Sequence, residues 1–218
     1  MPEDYWNHNT HYHPLVLDAV PGGCREALDI GCGDGLLARK LADRADRVLG
    51  VDSSAAMIRL ARERTADAPG LSFLEAGFPD SPDCPASPDD RLSPGPDDPL
   101  GDGCYDFVCS VASVHHMDFT RAVGRMARLL APGGRLVLIG VARNGTPWDL
   151  AVDAAGAVAH RVCERRHGPL REPPAIPVRD PGMTYGEVRR ETRRLLPGCR
   201  YRRHLLWRWS VTWEKPRG

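Results

Sequence analysis

A carboxylate and three glycines lie close together near the start of the chain, in a spacing that suits ligand binding. The sequence DIGCGDG places Asp29 ahead of Gly31, Gly33 and Gly35. Glycine has no Cβ, so it adopts positive φ angles and lets a ligand lie against bare backbone. A carboxylate at this point would repel a pyrophosphate, but it suits a ligand that carries an ammonium group. The stretch therefore predicts a site for a nucleoside-bearing ligand.

A second acidic residue follows the glycines at the separation expected of a ribose-binding acid. Asp52 ends the apolar stretch RVLGVD, 21 residues after Gly31. In dinucleotide-binding folds a ribose-binding Asp or Glu comes about 20 residues after the glycines, and a carboxylate can accept bonds from both ribose hydroxyls. Leu36, however, stands where the dinucleotide motif needs a small residue. Together with Asp29, this residue opposes an NAD-dependent oxidoreductase.

Two groups of histidines could also do chemistry. His115 and His116 follow the apolar stretch YDFVCS, where a neutral imidazole could deprotonate a hydroxyl or orient a substrate. One histidine of this pair could equally be a packed or loop-bonding residue. The second group is His8, His11 and His13, which has no Cys or carboxylate at the spacing of a known metal site, so we expect no metal there.

The elements that must position these residues alternate between strands and helices. Apolar stretches predict strands that end at Asp29 and Asp52, and helical patterns separate them from the strands that follow. This alternation predicts an α/β fold with a doubly wound, mostly parallel sheet. The predicted strands after the glycine turn are 47–52, 71–75, 105–110 and 135–141, the predicted helices are 14–20, 54–65, 119–130, 147–166 and 184–196, and two alternating strands are predicted within 199–216.

Three motifs in this order resemble those of the class I S-adenosylmethionine (SAM)-dependent methyltransferases. They are the D-x-G-x-G-x-G pattern that begins at Asp29, the stretch YDFVCSVASVHHM and the stretch LLAPGGRLVL. The resemblance covers about residues 25–142 and is nearest to the ubiquinone/menaquinone-type, small-molecule branch. It implies a Rossmann-like sheet of seven strands that ends in a C-terminal antiparallel hairpin. It also implies SAM as cofactor, S-adenosylhomocysteine as product, and methyl transfer to an oxygen, nitrogen or carbon of a small molecule.

The resemblance also assigns residues to the site. Tyr12 and His13 would line the methyl-acceptor side, and His115 or His116 would lie beside the accepting atom. The family often has an Asp after the third strand, near the adenine, where this chain has Gly77. Backbone amides would then recognise the adenine. The implied cofactor-binding residues are Asp29, Gly31, Cys32, Gly33, Gly35, Asp52, Ser53, Met57, Gly77, Phe78, Ser110 and Val111.

The length of 218 residues is suited to one methyltransferase domain over 1–218. Within it, residues 1–24 are predicted to form an N-terminal segment that covers the cofactor. Residues 79–103 contain seven prolines and seven aspartates, and only one cation. A segment of this composition cannot bury enough apolar surface to fold alone, so it is predicted to be a mobile acidic loop. A role as a lid over the cofactor is the alternative.

The composition indicates which cellular compartment and which partners to expect. The longest apolar run is far shorter than the roughly 18 residues of a membrane helix, and the N-terminus lacks the features of a secretory signal. Seven cysteines without a C-x-x-C pair indicate neither a disulfide framework nor a zinc site. We therefore expect a cytoplasmic protein with no membrane partner, and the oligomeric state stays open.

Charge is distributed unevenly along the chain. Residues 1–160 carry 14 basic and 23 acidic residues, a balance of −9, and residues 161–218 carry 15 and 6, a balance of +9. Electrostatic pairing between the acidic residues of 1–160 and the basic residues of 161–218 explains this uneven distribution better than nucleic-acid binding does. The overall charge is zero, and no nucleic-acid motif is present. A nucleic-acid methyltransferase would have Asn/Asp-Pro-Pro-aromatic or Pro-Cys after the fourth strand, where this chain has Ser110–Ser113. A SAM-binding protein that transfers no methyl group shares the same motifs and remains an alternative.

Overall fold

The computed structural model of the protein describes residues 4–65, 68–78, 100–171 and 180–217. Within these residues, strands and helices alternate along the chain, as the apolar pattern predicts. The strands are β1 (Cys24–Ile30), β2 (Ala45–Asp52), β3 (Leu71–Glu75), β4 (Tyr105–Val111), β5 (Leu130–Gly140), β6 (Arg200–Arg203) and β7 (Trp209–Glu214). The helices are α1 (His13–Asp18), α2 (Leu36–Leu41), α3 (Ala55–Arg64), α4 (Phe119–Leu129), α5 (Pro147–His167) and α6 (Tyr185–Leu195), with short 3₁₀ turns at Thr10–Tyr12 and Val114–His116.

The seven strands form one sheet in the order β3-β2-β1-β4-β5-β7-β6. Strands β1 to β5 are parallel to one another, whereas β7 is antiparallel to both β5 and β6. This mixed sheet confirms the predicted α/β fold, including the antiparallel hairpin at the C-terminus.

Both faces of the sheet are covered by apolar clusters, and the side chains of β1 alternate between the two clusters. Leu28 and Ile30 belong to the cluster that includes residues of α4 and α6, whereas Ala27 belongs to the cluster that includes residues of α1 and α2. Successive side chains of a strand point to opposite faces, so a strand buried on both faces must be apolar nearly throughout. Asp29, which is 1% exposed in this strand, is the exception that concerns function.

Side-chain caps fix where several helices begin. Ser54 accepts a bond from the Met57 amide at the start of α3. At α6, the Thr184 hydroxyl accepts from the Glu187 amide while the Glu187 carboxylate accepts from the Thr184 amide, which is a capping box. These caps satisfy amides that have no partner within the helix.

The predicted loop 79–103 differs from the structure at its end. Residues 79–99 lie outside the described residues. Leu100 is buried in the main core, and Asp102 forms an ion pair with Arg125. The prediction was therefore wrong for residues 100–103, because the proline- and aspartate-rich composition continues past the point where a buried leucine anchors the chain.

The strand order reverses between β1 and β4, which are neighbours in the sheet but distant in sequence. In open α/β sheets a ligand binds beyond the carboxyl ends of the strands at such a reversal. The fold thus places the loops after β1, β2 and β4 around one crevice. Among the described helices, none has the length and apolar character that crossing a membrane requires.

Candidate active site

A cavity of about 510 Å³ lies beyond the carboxyl ends of β1, β2 and β4. This volume falls within the range of about 300–1,000 Å³ that is usual for small-ligand sites. Its walls come from the turn after β1, the start of α3, the segment after β3, the segment after β4, and the N-terminal segment. The lining residues include Tyr5, Asn7, Asn9, Thr10, His13, Asp29, Gly31, Cys32, Gly33, Asp34, Asp52, Ser53, Met57, Ala76, Phe78, Val111, Ala112, Ser113, His116 and Met117.

The three glycines of the turn have three different structural roles, although all have positive φ angles. A Cβ at Gly31 would collide with the side chain of Ser113, so this glycine allows the segment after β4 to pack on the turn. A Cβ at Gly33 would meet no protein atom within 4 Å and would stand in open space beside the cavity. Gly35 does not line the cavity; a Cβ there would lie 2.9 Å from Ala61 and from Phe73. Only Gly31 and Gly33 are therefore placed for ligand contact.

The carboxylate of Asp52 is fixed by two backbone amides. Its Oδ2 accepts a bond of 2.9 Å from the Gly33 amide, and its Oδ1 accepts one of 2.9 Å from the Ser54 amide. Each oxygen keeps a further lone pair for a ligand hydroxyl. The carboxylate also ties the glycine turn to the start of α3, so the two loops hold one geometry. This arrangement fits a vicinal diol such as that of a ribose.

Asp29 presents a buried oxygen without a protein partner. Its Oδ1 accepts a weak bond of 3.5 Å from the Cys109 thiol, and its Oδ2 has no hydrogen-bond partner among the described residues. Burial raises the pKa of this carboxyl to about 7, and the nearby charges of Asp52 and Asp34 act in the same direction. A buried carboxylate without a partner is costly, so a bound cation would stabilise its ionised form. The site fits an ammonium group here.

Asp34 is a cavity residue that sequence reasoning missed. It is 5% exposed, accepts a bond of 2.9 Å from the Tyr5 hydroxyl, and pairs with Arg64 of α3. Tyr5 therefore connects the N-terminal segment to the glycine turn. The position of Asp34 between two glycines could have indicated a site residue. Its partners, however, lie 29 and 30 positions away in the sequence, and no local pattern reveals them.

Two serines after β4 hold the other wall. The Ser113 hydroxyl donates to the Ile30 carbonyl at 3.0 Å, and the Ser110 hydroxyl lies 2.6 Å from that of Ser113. Ala112, between them, has a φ angle of 54°, which a residue with a Cβ adopts only at a cost. Ser110 is fully buried and does not line the cavity, so its place is behind Ser113 and not beside the ligand.

The two adjacent histidines lie in different surroundings. His116 lines the cavity, and His115 does not. Their ring centroids are 4.0 Å apart, which places His115 directly beside His116. Burial lowers the pKa of His115 to about 3, with further lowering by His116 and Arg208. Of the pair, His116 is the histidine placed to meet a substrate.

The N-terminal segment contributes five lining residues, of which sequence analysis named only His13. Asn7 is buried; its side-chain oxygen accepts from the Asn9 and Thr10 amides, and its nitrogen donates to the Arg171 carbonyl. Tyr12, which was predicted to line the acceptor side, instead lies in the core cluster with α2 and donates its hydroxyl to the Leu205 carbonyl. Tyr12 faces away because residues 10–12 form a 3₁₀ turn in which neighbouring side chains point in different directions.

The remaining predicted residues fall in two groups. The structure brings Cys32, Ser53, Met57, Phe78 and Val111 to the cavity. Gly77 is not among the lining residues; its neighbours Ala76 and Phe78 are. The described residues include no group of three or more His, Cys, Asp or Glu side chains that could hold a metal ion. His8 instead contacts His160 at 3.1 Å between ring nitrogens.

Comparisons with known proteins agree on one family. The model of a methyltransferase domain matches residues 28–138. An uncharacterized methyltransferase of Mycobacterium tuberculosis is 36% identical over 218 residues, which cover 97% of this chain and 98% of that protein. The demethylmenaquinone methyltransferase of Thermus thermophilus is 35% identical over 130 residues, 57% of this chain and 50% of that protein.

A solved structure agrees at the level of the fold. The crystal structure of a SAM-dependent methyltransferase from Aquifex aeolicus superposes with a TM-score of 0.58 and 15% identity, covering 93% of this chain and 88% of that one.

Proposed function

The chain belongs to the methyltransferase-domain family of class I SAM-dependent methyltransferases, and we propose that it methylates an oxygen, nitrogen or carbon atom of a small molecule bound in the cavity. The observation that carries this proposal is the combination of Asp29, Gly33 and Asp52 at one end of a cavity of small-ligand size. These three residues offer a cation site, open space against backbone, and a fixed diol acceptor.

The same residues support SAM as the cofactor. Asp52 would accept both ribose hydroxyls with an already fixed carboxylate. Asp29 would bind the ammonium of the amino-acid end. Ser53, Met57 and Phe78 line the cavity, and they would surround the adenine. Cys32 and Gly31 would contribute backbone groups, since both line the cavity.

The acceptor would lie on the side formed by the segment after β4. SAM supplies an electrophilic methyl group, so the protein's task is to position the acceptor, exclude water and, for a hydroxyl, remove a proton. Val111, His116 and Met117 line this side. His116 would hold the proton or orient the acceptor, and His115 would support the His116 ring from behind.

A small-molecule acceptor is favoured by the size of the cavity and by one relative. Tyr5, Asn7, Asn9 and Thr10 of the N-terminal segment line the cavity, whose volume of about 510 Å³ suits a compact ligand. The demethylmenaquinone methyltransferase of Thermus thermophilus is named for a small-molecule substrate. Its name supports the substrate class and does not identify the acceptor of this chain.

Calorimetry tests the cofactor. The protein is titrated with SAM, S-adenosylhomocysteine and NADH, and we expect the first two to bind and NADH not to bind. The Asp52→Ala variant should bind S-adenosylhomocysteine about 10- to 100-fold more weakly, because hydrogen bonds to a charged group are lost. Asp43→Ala, at an exposed acid after α2, is the matched control. Binding of NADH without binding of SAM would overturn the assignment.

Isotope transfer tests the reaction. Metabolite extracts are incubated with SAM labelled in its methyl group, and we expect label in one or a few small compounds. Label in RNA or DNA, or tight SAM binding with no labelled product in any fraction, would contradict the proposed acceptor class.

A further inference from the structure

Helix α5 has polar side chains on its inner side and apolar side chains on its outer side. A helix on the surface of a protein normally has the reverse arrangement. Asp149 is buried, Asp153 is half-buried, and both form ion pairs with Arg203. His160 contacts His8 of the N-terminal segment at 3.1 Å between ring nitrogens. The protein therefore packs against the polar side of α5 and leaves the apolar side outside.

The outer side of α5 exposes a large apolar patch. Trp148, Val158 and Val162 are 73%, 64% and 44% exposed. Ala151 and Ala155 are exposed as well. With their exposed neighbours on the helix, these residues present roughly 600 Å² of apolar surface, the upper end of the range of about 300–600 Å² for the largest patch on a typical monomer. A patch of this size indicates a surface that binds a partner.

The spacing of these residues is that of the a and d positions of a coiled coil. Separations of three, four, three and four residues join Trp148, Ala151, Ala155, Val158 and Val162. Apolar residues at this spacing form a seam that packs against a second helix with a similar seam. The seam of α5 covers two heptads, or about 21 Å of helix. Because no helix of the described residues covers this exposed seam, a second molecule can supply the partner helix.

The seam of α5 is complementary to a second copy of itself in an antiparallel arrangement. In one register, each layer of the seam joins a large residue of one copy to a small residue of the other, which is how facing helices interdigitate. The Arg165 guanidinium of one copy then meets the Trp148 ring of the other, where a cation–π contact is favourable. A parallel arrangement would place Arg165 against Arg165, and like charges repel. The expected pairs are Ala151 with Val162, Ala155 with Val158, and Trp148 with Arg165.

A lipid surface suits this face less well than a second helix does. Helices that lie on membranes use Trp, Phe and Leu on the apolar face, because these side chains reach into the acyl region. The middle of the α5 seam is formed by Ala151 and Ala155, whose short side chains instead allow close approach of another helix. Two copies would bury roughly 1,200 Å² in total, which is at the lower limit of stable interfaces.

We propose that the protein forms a symmetric dimer through antiparallel packing of the outer side of α5 against α5 of a second copy. The same patch then serves both copies, as in most two-fold dimers. Among the described residues, none of those that line the cavity belongs to α5. The dimer is therefore independent of the proposed function, and either proposal can fail alone.

Analytical ultracentrifugation over about 1–200 µM protein tests the interface. We expect a monomer–dimer equilibrium with a Kd of about 1–100 µM, because the interface is small. Val158→Glu places a charge in the seam, so this variant should stay monomeric with an unchanged circular dichroism spectrum. Ala157→Glu adds the same charge at an exposed position outside the seam and should dimerise like the wild type. Trp148→Ala, which adds no charge, should weaken dimerisation about tenfold.

Disulfide cross-linking tests the orientation. Ala155→Cys and Val158→Cys are prepared as separate proteins, each with the exposed Cys104 replaced by Ser, and are mixed under mild oxidation. The two new thiols face each other in the antiparallel dimer, so we expect the mixed disulfide in preference to either symmetric one. A preference of the Ala155→Cys variant for itself would overturn the antiparallel arrangement.

Two other outcomes would overturn the dimer itself. One is a wild type that stays monomeric at about 200 µM. If that monomer binds vesicles of anionic phospholipid and Trp148→Ala does not, the occupant of the patch is a lipid surface. The other is dimerisation of Val158→Glu with the Kd of the wild type, which would locate the interface elsewhere on the protein.

Discussion

The two ends of the cavity are built in different ways. At the turn end, formed by Asp29–Gly35 and Asp52–Ser54, the key carboxylate of Asp52 is held by amides of the two loops that surround it. At the cover end, formed by residues 5–13 and 111–117, the groups are held by distant parts of the chain. Asn9, for example, accepts bonds from the Arg208 guanidinium at 2.7 and 3.1 Å.

This difference indicates that the two ends of the cavity have different functions. The turn end uses backbone and short connections, which suit a ligand part that does not change. The cover end uses side chains from the N-terminal segment, the segment after β4 and the C-terminal hairpin, which are far apart in the sequence. We therefore expect substitutions at the turn end to affect cofactor binding and those at the cover end to affect the acceptor or the cover itself.

The largest effect is expected at Gly33. In Gly33→Leu the side chain would fill the open space beside the cavity, so calorimetry should detect no binding of S-adenosylhomocysteine. The positive φ angle should also lower the free energy of unfolding by about 1–2 kcal/mol, measured by urea denaturation. Gly23→Leu is the matched control, because Gly23 has a φ angle of 72° and no atom within 4 Å of a Cβ, but does not line the cavity. If Gly33→Leu binds S-adenosylhomocysteine normally, the glycine turn is not part of the cofactor site.

The next effect concerns turnover at the cover end. If the acceptor is a hydroxyl, His116→Ala should lower kcat by about 10²- to 10⁴-fold and leave the affinity for SAM unchanged. His115→Ala should lower kcat much less, because His115 lies outside the cavity. Single-turnover kinetics on both variants measure the contrast. Equal losses would mean that the two rings act as one unit, and full turnover in both would mean that positioning alone suffices.

A smaller effect is expected from pH at the turn end. Because the pKa of Asp29 is about 7 in the ligand-free protein, ammonium binding requires loss of a proton below that pH. The affinity for S-adenosylhomocysteine should therefore be about tenfold lower at pH 6 than the plateau above pH 8. Titrations at pH 6 in buffers of different ionisation enthalpy should show release of nearly one proton. Asp29→Asn should release none, and a pH-independent affinity in the wild type would show that Asp29 is already ionised.

The Asp29 carboxyl affects stability in the opposite direction: a rise in pH should strengthen ligand binding but lower the stability of the ligand-free protein. Its pKa is raised above the value of 3.8 for an ordinary Asp, so the folded state binds more protons than the unfolded state between about pH 4 and 7. The contribution of Asp29 to the free energy of unfolding should therefore fall as the pH rises through this window. Urea denaturation of the wild type and Asp29→Asn across that range measures the difference, and parallel curves would contradict it.

The smallest effect is expected where the two ends meet. Tyr5→Phe removes the bond to Asp34 and keeps the ring, so affinity for S-adenosylhomocysteine should fall about three- to tenfold. Proteolysis within the N-terminal segment should also become faster. Tyr201→Phe, which removes a hydroxyl bonded to the Tyr185 carbonyl away from the cavity, is the control. An unchanged affinity would mean that the cover segment is held in place without Tyr5.

The sequence predicts the turn end well, for a physical reason. Asp29, Gly31, Gly33 and Asp52 all stand at strand ends, and parallel strands bring their carboxyl ends to one edge of the sheet. Strand periodicity therefore suffices to place these residues together. Gly35 is a turn glycine of the same motif, but its contacts with Ala61 of α3 and Phe73 of β3 depend on how α2 and α3 pack on the sheet.

The contacts that join the turn end to distant parts of the chain could not be predicted to the same degree. Asp34 pairs with Tyr5 and Arg64, and Gly31 packs against Ser113, and these contacts are made only in the folded chain. Tyr12 and His13 are adjacent and similarly amphipathic, and only the geometry of the 3₁₀ turn sends one to the core and the other to the cavity. Local patterns contain no information about either choice.

The collision that a Cβ at Gly31 would make with Ser113 has a consequence for how this protein can evolve. Position 31 depends on position 113, which is 82 positions away, because any side chain at position 31 first requires a smaller residue at position 113, and it must also adopt the positive φ angle of 75°. Ser113→Gly is thus the permissive step and Gly31→Ala the dependent one. Reversing the order passes through a protein whose two cavity walls cannot close on each other. A comparison of many descendants should show no side chain at position 31 unless position 113 is already glycine, whereas position 113 can change alone.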